Sequence, residues 1–432
     1  MSLTRNTLFM AVTTATKMLS GIVVFVIMAR ILGPHDFGMV VYSFTLASIF
    51  VLLVDYGFSQ QLLRDIGAAP KAIHQLMGRV LVAKVALSIA MLILCAIYLL
   101  LFPKDKTTEI VFLLLLLSSI LASFSEFLNV GFRGIGQFKR ETNIATVGAA
   151  IHFALLTAIL LIKADVIWVS YAFIISRVIY LLISWQAYKK HIGIIQIEKD
   201  KRLVIQSIKA GFPYAADAGF TNFFQQVDTI IVNHYLGLAG VGLYQAATKW
   251  LQGAMQFAPV LANVYLPTLS GNTENRKTNN SYAKKLNIQM LVIGASGWTF
   301  FTFAGSYLSS LVYGEKYQEI STLWPYVGLL MLTRYIAASQ GVILVAYGKQ
   351  RIRVIVQVVS LSVFLASSVI LIQHFGLVGA LVALVLTFMT TFFIYTYNVI
   401  KFKFPTGYSN ITATFTAAIF IAAILFSYLS LV

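Results

Sequence analysis

The chain has 432 residues, of which 59% are hydrophobic and 11% charged, with one cysteine and a formal net charge of +17. So apolar a composition, at a mean hydropathy of +0.83, excludes a water-soluble domain and describes a polytopic membrane protein. Cys95 alone excludes an intrachain disulfide and a thiolate metal cluster, and the six histidines are scattered without metal-ligand spacing.

Apolar segments near the twenty residues of a spanning helix fall at about 8–32, 39–60, 80–101, 109–130, 143–162, 166–186, 210–236, 240–267, 286–311, 322–346, 354–373, 379–399 and 409–431. Alternate gaps, beginning with the N-terminus, hold twenty-two Lys and Arg, while the intervening gaps hold only Lys104, Lys106, Lys163 and Lys316. That bias places the N-terminus and the rich gaps in the cytoplasm, in contact with anionic lipid headgroups, and it accounts for the positive charge without nucleic acid. The first segment carries Lys17 and has no A-x-A site before Arg30, so it reads as a retained span and not a cleaved leader.

The charged stretch 187–209 divides the chain into a six-helix lobe, 1–186, and a second, 210–402, with residues 403–432 as an extra C-terminal helix. Within it, Ile192 to Ile208 suits either an interfacial helix or a plain connector. An internal repeat supports the division. Leu32-Gly33 through Gly38 recurs, 204 residues on, as Leu236-Gly237 through Gly242, and Gly136 before the fifth span is echoed by Gly348 before the eleventh. Glycine there permits the positive φ of a tight reversal. Six spans per copy is an even number, so the copies share one orientation and are related by a pseudo-two-fold axis along the membrane normal.

Ala29-Arg30-Ile31-Leu32-Gly33-Pro34, Phe37-Gly38, Asp55-Tyr56-Gly57 and Arg64 resemble the opening signature of the polysaccharide transporter (Wzx-type flippase) family of the multidrug/oligosaccharidyl-lipid/polysaccharide superfamily. Asp228, Leu236-Gly237, Val241-Gly242, Tyr244, Ala246-Ala247, Lys249 and Pro267 follow in the order that family shows. The resemblance implies a MATE-like, all-α fold of two six-helix lobes. It also implies export of undecaprenyl-diphosphate-linked oligosaccharide, such as O-antigen units of lipopolysaccharide, across the bacterial inner membrane. Membrane lipids, a glycan polymerase and a chain-length regulator are the partners to expect.

Charged residues inside spans point independently to a pathway, because exposing them to lipid costs several kcal/mol. Lys17, Arg177, Lys249 and Arg334 form the candidate cationic lumen for a diphosphate. Asp217, Thr221, Gln225 and Asp228 recur on one face of the seventh span, and Gln245, Lys249, Gln252 and Gln256 on one face of the eighth. With Thr13 of the first span they read as a wall able to hydrogen-bond sugar hydroxyls. Polar groups that only join helices are the competing reading.

Gly341 to Lys349 lacks the spacing of a P-loop, so no nucleotide or other cofactor is expected, and a proton or sodium gradient becomes the energy source. Asp217, Asp228 and Asp55 are the coupling candidates, Asp228 by exchanging a pair with Lys249. Asp55 and Glu126 also have structural partners in prospect among Arg64, Lys84 and Arg133. An antiporter of small solutes would favour acids at mid-depth over cations. An integral-membrane polymerase or ligase needs a larger extracytoplasmic loop than about 312–321 supplies.

Overall fold

The computed structural model describes residues 3–271 and 276–405, with the backbone alone for residues 3–8, 11, 17 and 276. Twelve α-helices and two 3-10 segments occupy them: α1 (Leu3–Leu32), α2 (Pro34–Asp55), α3 (Phe58–Ala68), α4 (Ile73–Leu101), α5 (Lys106–Gly134), α6 (Phe138–Ile162), α7 (Val166–His191), α8 (Lys201–Ala254), α9 (Phe257–Gly271), α10 (Arg276–Tyr313), α11 (Trp324–Ala346) and α12 (Gln350–Lys401). Among the described residues, nine helical stretches are long and apolar enough to cross a membrane. The protein is an all-α multi-pass membrane protein. The thirteenth apolar segment, 409–431, lies outside the described residues.

Local chemistry sets the helix ends. Pro34 opens α2 directly after Gly33, and the Asp105 and Asp165 carboxylates accept backbone N–H bonds from Thr108 and from Ile167 and Trp168 at the starts of α5 and α7. The hydroxyl and then the backbone amide of Thr108 hold the Asp105 carboxyl below its usual pKa. α8 and α12 each join two expected spans across one non-helical glycine, Gly237 (φ 68°) and Gly376 (φ 55°). At Gly376 the chain doubles back, since Ser360 and Thr391 on its two sides hydrogen-bond at 2.7 Å. The repeat is visible in the backbone: Gly33 (φ 83°, ψ 173°) and Gly237 (φ 68°, ψ −172°) share a conformation.

Two expectations change. The second span stops at Asp55, because Tyr56 and Gly57 turn left-handed and α3 starts afresh, burying Phe58, Gln61, Leu62 and Ile66 along one side. The connector forms no interfacial helix of its own. Residues 192–200 are irregular, and α8 then starts at Lys201 and continues into the seventh span.

Packing divides the chain into Met1–Asn233 and His234–Val432. In the first unit, Phe58, Leu62 and Ile66 of α3 pack with Met77, Val80 and Ala83 of α4, Phe127 and Phe132 of α5, and Tyr180 and Tyr188 of α7. The connector is part of this core. Ile195 is buried in it, the Gln196 N–H donates to the His74 carbonyl at 3.2 Å, and Glu198 pairs with Arg79 at 3.1 Å. Backbone approach at Gly78 is so close that a Cβ there would lie 1.7 Å from the Gln196 oxygen. The second unit is centred on α11, whose Trp324 and Tyr335 are fully buried. Small residues permit its tight seam with α10: Gly294, Gly297 and Gly305 meet Leu332, Met331 and Trp324, as expected where close approach and dispersion join helices in lipid.

Candidate functional site

A charged layer runs through the first unit, toward the side at which α1 begins. α5 supplies Ser123, Glu126, Asn129 and Arg133, spaced three or four residues apart and so sharing one face. Arg133 donates through Nε to both Glu141 oxygens, at 3.0 and 3.1 Å, and through Nη2 to the same carboxylate, with Glu126 3.9 Å away. Glu141, at the start of α6, is 1% exposed. Tyr180 of α7 accepts from Asn129 Nδ2 at 2.6 Å and donates to Glu126 Oε1 at 3.3 Å. Its ring lies against Gly148, where any Cβ would collide with it.

Arg177 belongs to this layer. Its charge bears on His152, Tyr180 and Glu126. His152 is itself tied down, with Nδ1 2.8 Å from Ser176 Oγ and the ring edge-on to Phe173. Among the described residues no hydrogen bond or ion pair holds the Arg177 guanidinium. It therefore keeps five donors for another acceptor.

A second cluster joins α2, α4 and α5. Lys84, 2% exposed, donates to Asp55 Oδ1 at 2.9 Å, to the Val54 carbonyl at 3.3 Å and to Ser123, which donates to the same carboxylate oxygen. Across the layer Asp55, Glu126 and Glu141 balance Lys84, Arg133 and Arg177.

The remaining expected residues are divided between the two units. The Lys17 side chain lies outside the described residues. Thr13 is 4% exposed, and its hydroxyl lies 2.9 Å from both the Phe9 carbonyl and Thr142 Oγ1, a contact that joins α1 to α6. Asp217, Thr221 and Gln225 form an open stripe along α8. Asp228, half-buried, accepts from the Thr229 N–H at 2.7 Å and from its hydroxyl at 3.2 Å. In the second unit Gln245 is buried, Lys249 half-buried, and Gln252 and Gln256 exposed near the break between α8 and α9. Arg334 stands over the Phe388 ring at 4.9 Å, a cation–π contact from α11 to α12, and neighbouring Tyr335 donates to the Ala254 carbonyl at 2.6 Å. Sequence reasoning missed Ser123, Asn129, Glu141 and Tyr180. The regular spacing along α5 was the available signal.

This helical fold is shared with solved structures of other membrane proteins. It matches the inward-facing conformation of a multidrug resistance MATE family transporter of the MOP superfamily at a TM-score of 0.69, with 16% identity over 90% of this chain and 95% of the other. It matches the lipid II flippase MurJ, in an inward closed conformation, at 0.71, with 14% identity over 91% and 87%. Residues 3–273 match the family model described as polysaccharide biosynthesis protein, and the chain belongs to that family. A protein of Shigella dysenteriae named "Putative O-antigen transporter" is 23% identical over 366 residues, 83% of this chain and 90% of that one. The probable low-salt glycan biosynthesis flippase Agl15 of Haloferax volcanii is 25% identical over 220 residues, 49% of this chain and 45% of its own, so that match spans about half of the relative's length.

Proposed function

We propose that this protein is a flippase that carries polyprenyl-diphosphate-linked oligosaccharide from the cytoplasmic to the outer face of the bacterial inner membrane by alternating access. The observation that carries the reading is Arg177, an intramembrane guanidinium that no hydrogen bond or ion pair holds among the described residues, in a chain of the polysaccharide biosynthesis family. Arg334, whose guanidinium lies over the Phe388 ring at 4.9 Å, is its counterpart in the second unit. Lys17 and Lys249 complete the set of cations that meet the diphosphate. The open stripes containing Thr221, Gln225, Gln252 and Gln256 offer amide and hydroxyl partners to the sugar. The polyprenyl chain stays in lipid. Cargo drives the change of state only through different affinities for the two states. A proton or sodium ion carried by Asp217, Asp228 or Asp55 supplies the direction. The K/R distribution supports a cytoplasmic N-terminus, and polymerase and chain-length proteins take up the exported unit.

The test is complementation of a strain lacking its own flippase, with surface glycan and protein level read together. Arg177→Ala and Arg334→Ala are expected to reduce glycan by tenfold or more at normal protein level, about the loss of one 1.4 kcal/mol contact. Lys at either position is expected to retain part of the activity, since charge and not fork geometry is required. Normal glycan from an abundant double alanine variant refutes the cationic pathway.

A further inference from the structure

Lys84 is a deeply buried cation that the transport cycle above does not use. Its ammonium is ringed by oxygen: the Val54 carbonyl at 3.3 Å, Asp55 Oδ1 at 2.9 Å and Ser123 Oγ together take all three N–H bonds. The arrangement follows from the chain. α2 ends at Asp55 with a last i→i−4 bond from the Tyr56 N–H to the Leu52 carbonyl, and the left-handed turn at Tyr56 and Gly57 leaves the Val54 carbonyl at the helix end, where no intrahelical donor is supplied. α5 brings Ser123 to the same point, where its hydroxyl accepts from Lys84 and donates to Asp55.

A carboxylate, a backbone carbonyl and a hydroxyl converging on one point are the donor set of a hard metal cation. One carboxylate suits a single charge. The two partners also differ in access. The Asp55 side chain is 51% exposed and that of Lys84 is 2% exposed, so the oxygens open outward while the ammonium reaches them from the protein interior. An ion approaching Asp55 meets a site that is already full.

We propose that Val54, Asp55 and Ser123 form a monovalent-cation site that the chain occupies with its own lysine ammonium in place of sodium. The first unit then needs no dissolved cation at this point. Resting on the ion-coupled reading above, a corollary follows: of the three candidate acids, Asp55 is not the one that carries sodium.

Emptying the site tests this. Full-length protein is purified in detergent, and its thermal stability is followed in sodium chloride and in choline chloride of equal ionic strength. The wild type is expected to respond alike to both salts. Lys84→Ala is expected to be less stable in choline and to gain, saturably with sodium, on the order of 5 °C. Asp55→Asn with Lys84→Ala is expected to lose that response. A Lys84→Ala protein indifferent to the choice of salt overturns the proposal, and so does a wild type that responds as strongly as the variant. If the alanine variant fails to accumulate, Lys84→Ser takes its place. Failure of both counts against the site, because sodium and potassium in the cell have access to the vacated oxygens. Glycan export is measured separately: an export defect unrelated to Arg177 and Arg334 undermines the flippase reading while a sodium response in Lys84→Ala leaves the site standing.

Discussion

The Arg133–Glu141 pair gives an asymmetric prediction. Glu141 is 1% exposed and receives two nitrogens of one guanidinium, and among the described residues no other cation pairs with it. Arg133 is 21% exposed and keeps Glu126 at 3.9 Å when Glu141 is lost. Removing one partner of a buried pair costs about 3–5 kcal/mol, chiefly for the charge left behind. Glu141→Ala leaves the better-compensated charge and is expected near the lower end, about 3 kcal/mol. Arg133→Ala strands the fully buried carboxylate and is expected near the upper end, about 5 kcal/mol. At roughly 2–4 °C per kcal/mol for a unit of this size, the losses in Tm are about 6–12 °C and 10–20 °C. Arg133→Met with Glu141→Leu removes both charges while keeping bulk, and is expected to recover most of the loss. The assay is thermal unfolding of purified protein, read by tryptophan fluorescence and by the monodisperse fraction on size exclusion. Equal losses for the two single variants, or a double variant equal to their sum, refute the reasoning.

Two further outcomes follow from the connector and the helix caps. Gly78→Ala places a methyl group where the Gln196 carbonyl now lies, so the strap is expected to lift, with faster proteolysis at residues 192–200 and a lower Tm; wild-type protease resistance contradicts the packing. Because Thr108 holds the Asp105 carboxyl below its ordinary pKa, the cap stabilises the folded state above about pH 4 and its contribution is lost as the pH falls through the folded-state pKa. The stability gap between wild type and Asp105→Ala is therefore expected to close in acid, and a gap independent of pH contradicts the assignment.

The spans were legible because an apolar run of about twenty residues has little other use, and the repeated Leu-Gly marks reversals that need a left-handed residue. The break at Tyr56-Gly57 was hidden because Tyr56 and Phe58 carry the apolar run across it, and the polar Ser59-Gln60-Gln61 begins only beyond. The connector stayed open between two readings for a different reason. Its conformation is set by Gly78, His74 and Arg79, which stand more than a hundred residues earlier, and no local pattern records them. The site was half legible. Arg177 stood out as an intramembrane charge, but that Glu141 neutralises Arg133 and that Lys84 selects Asp55 from several acids depends on which helices become neighbours.

Chain reversal through Gly33 and through the short turns at 102–105 and 163–165 leaves little of the first unit's described polypeptide outside its helices on the side away from the start of α1. That side is poor in epitopes and nearly silent to added protease. A binding protein that must recognise that side of the first unit meets helix ends and the short turns at 102–105 and 163–165. Affinity tags or fluorophores meant to report from that side belong in those two turns, and any protein that docks there will read lipid and helix together rather than a loop.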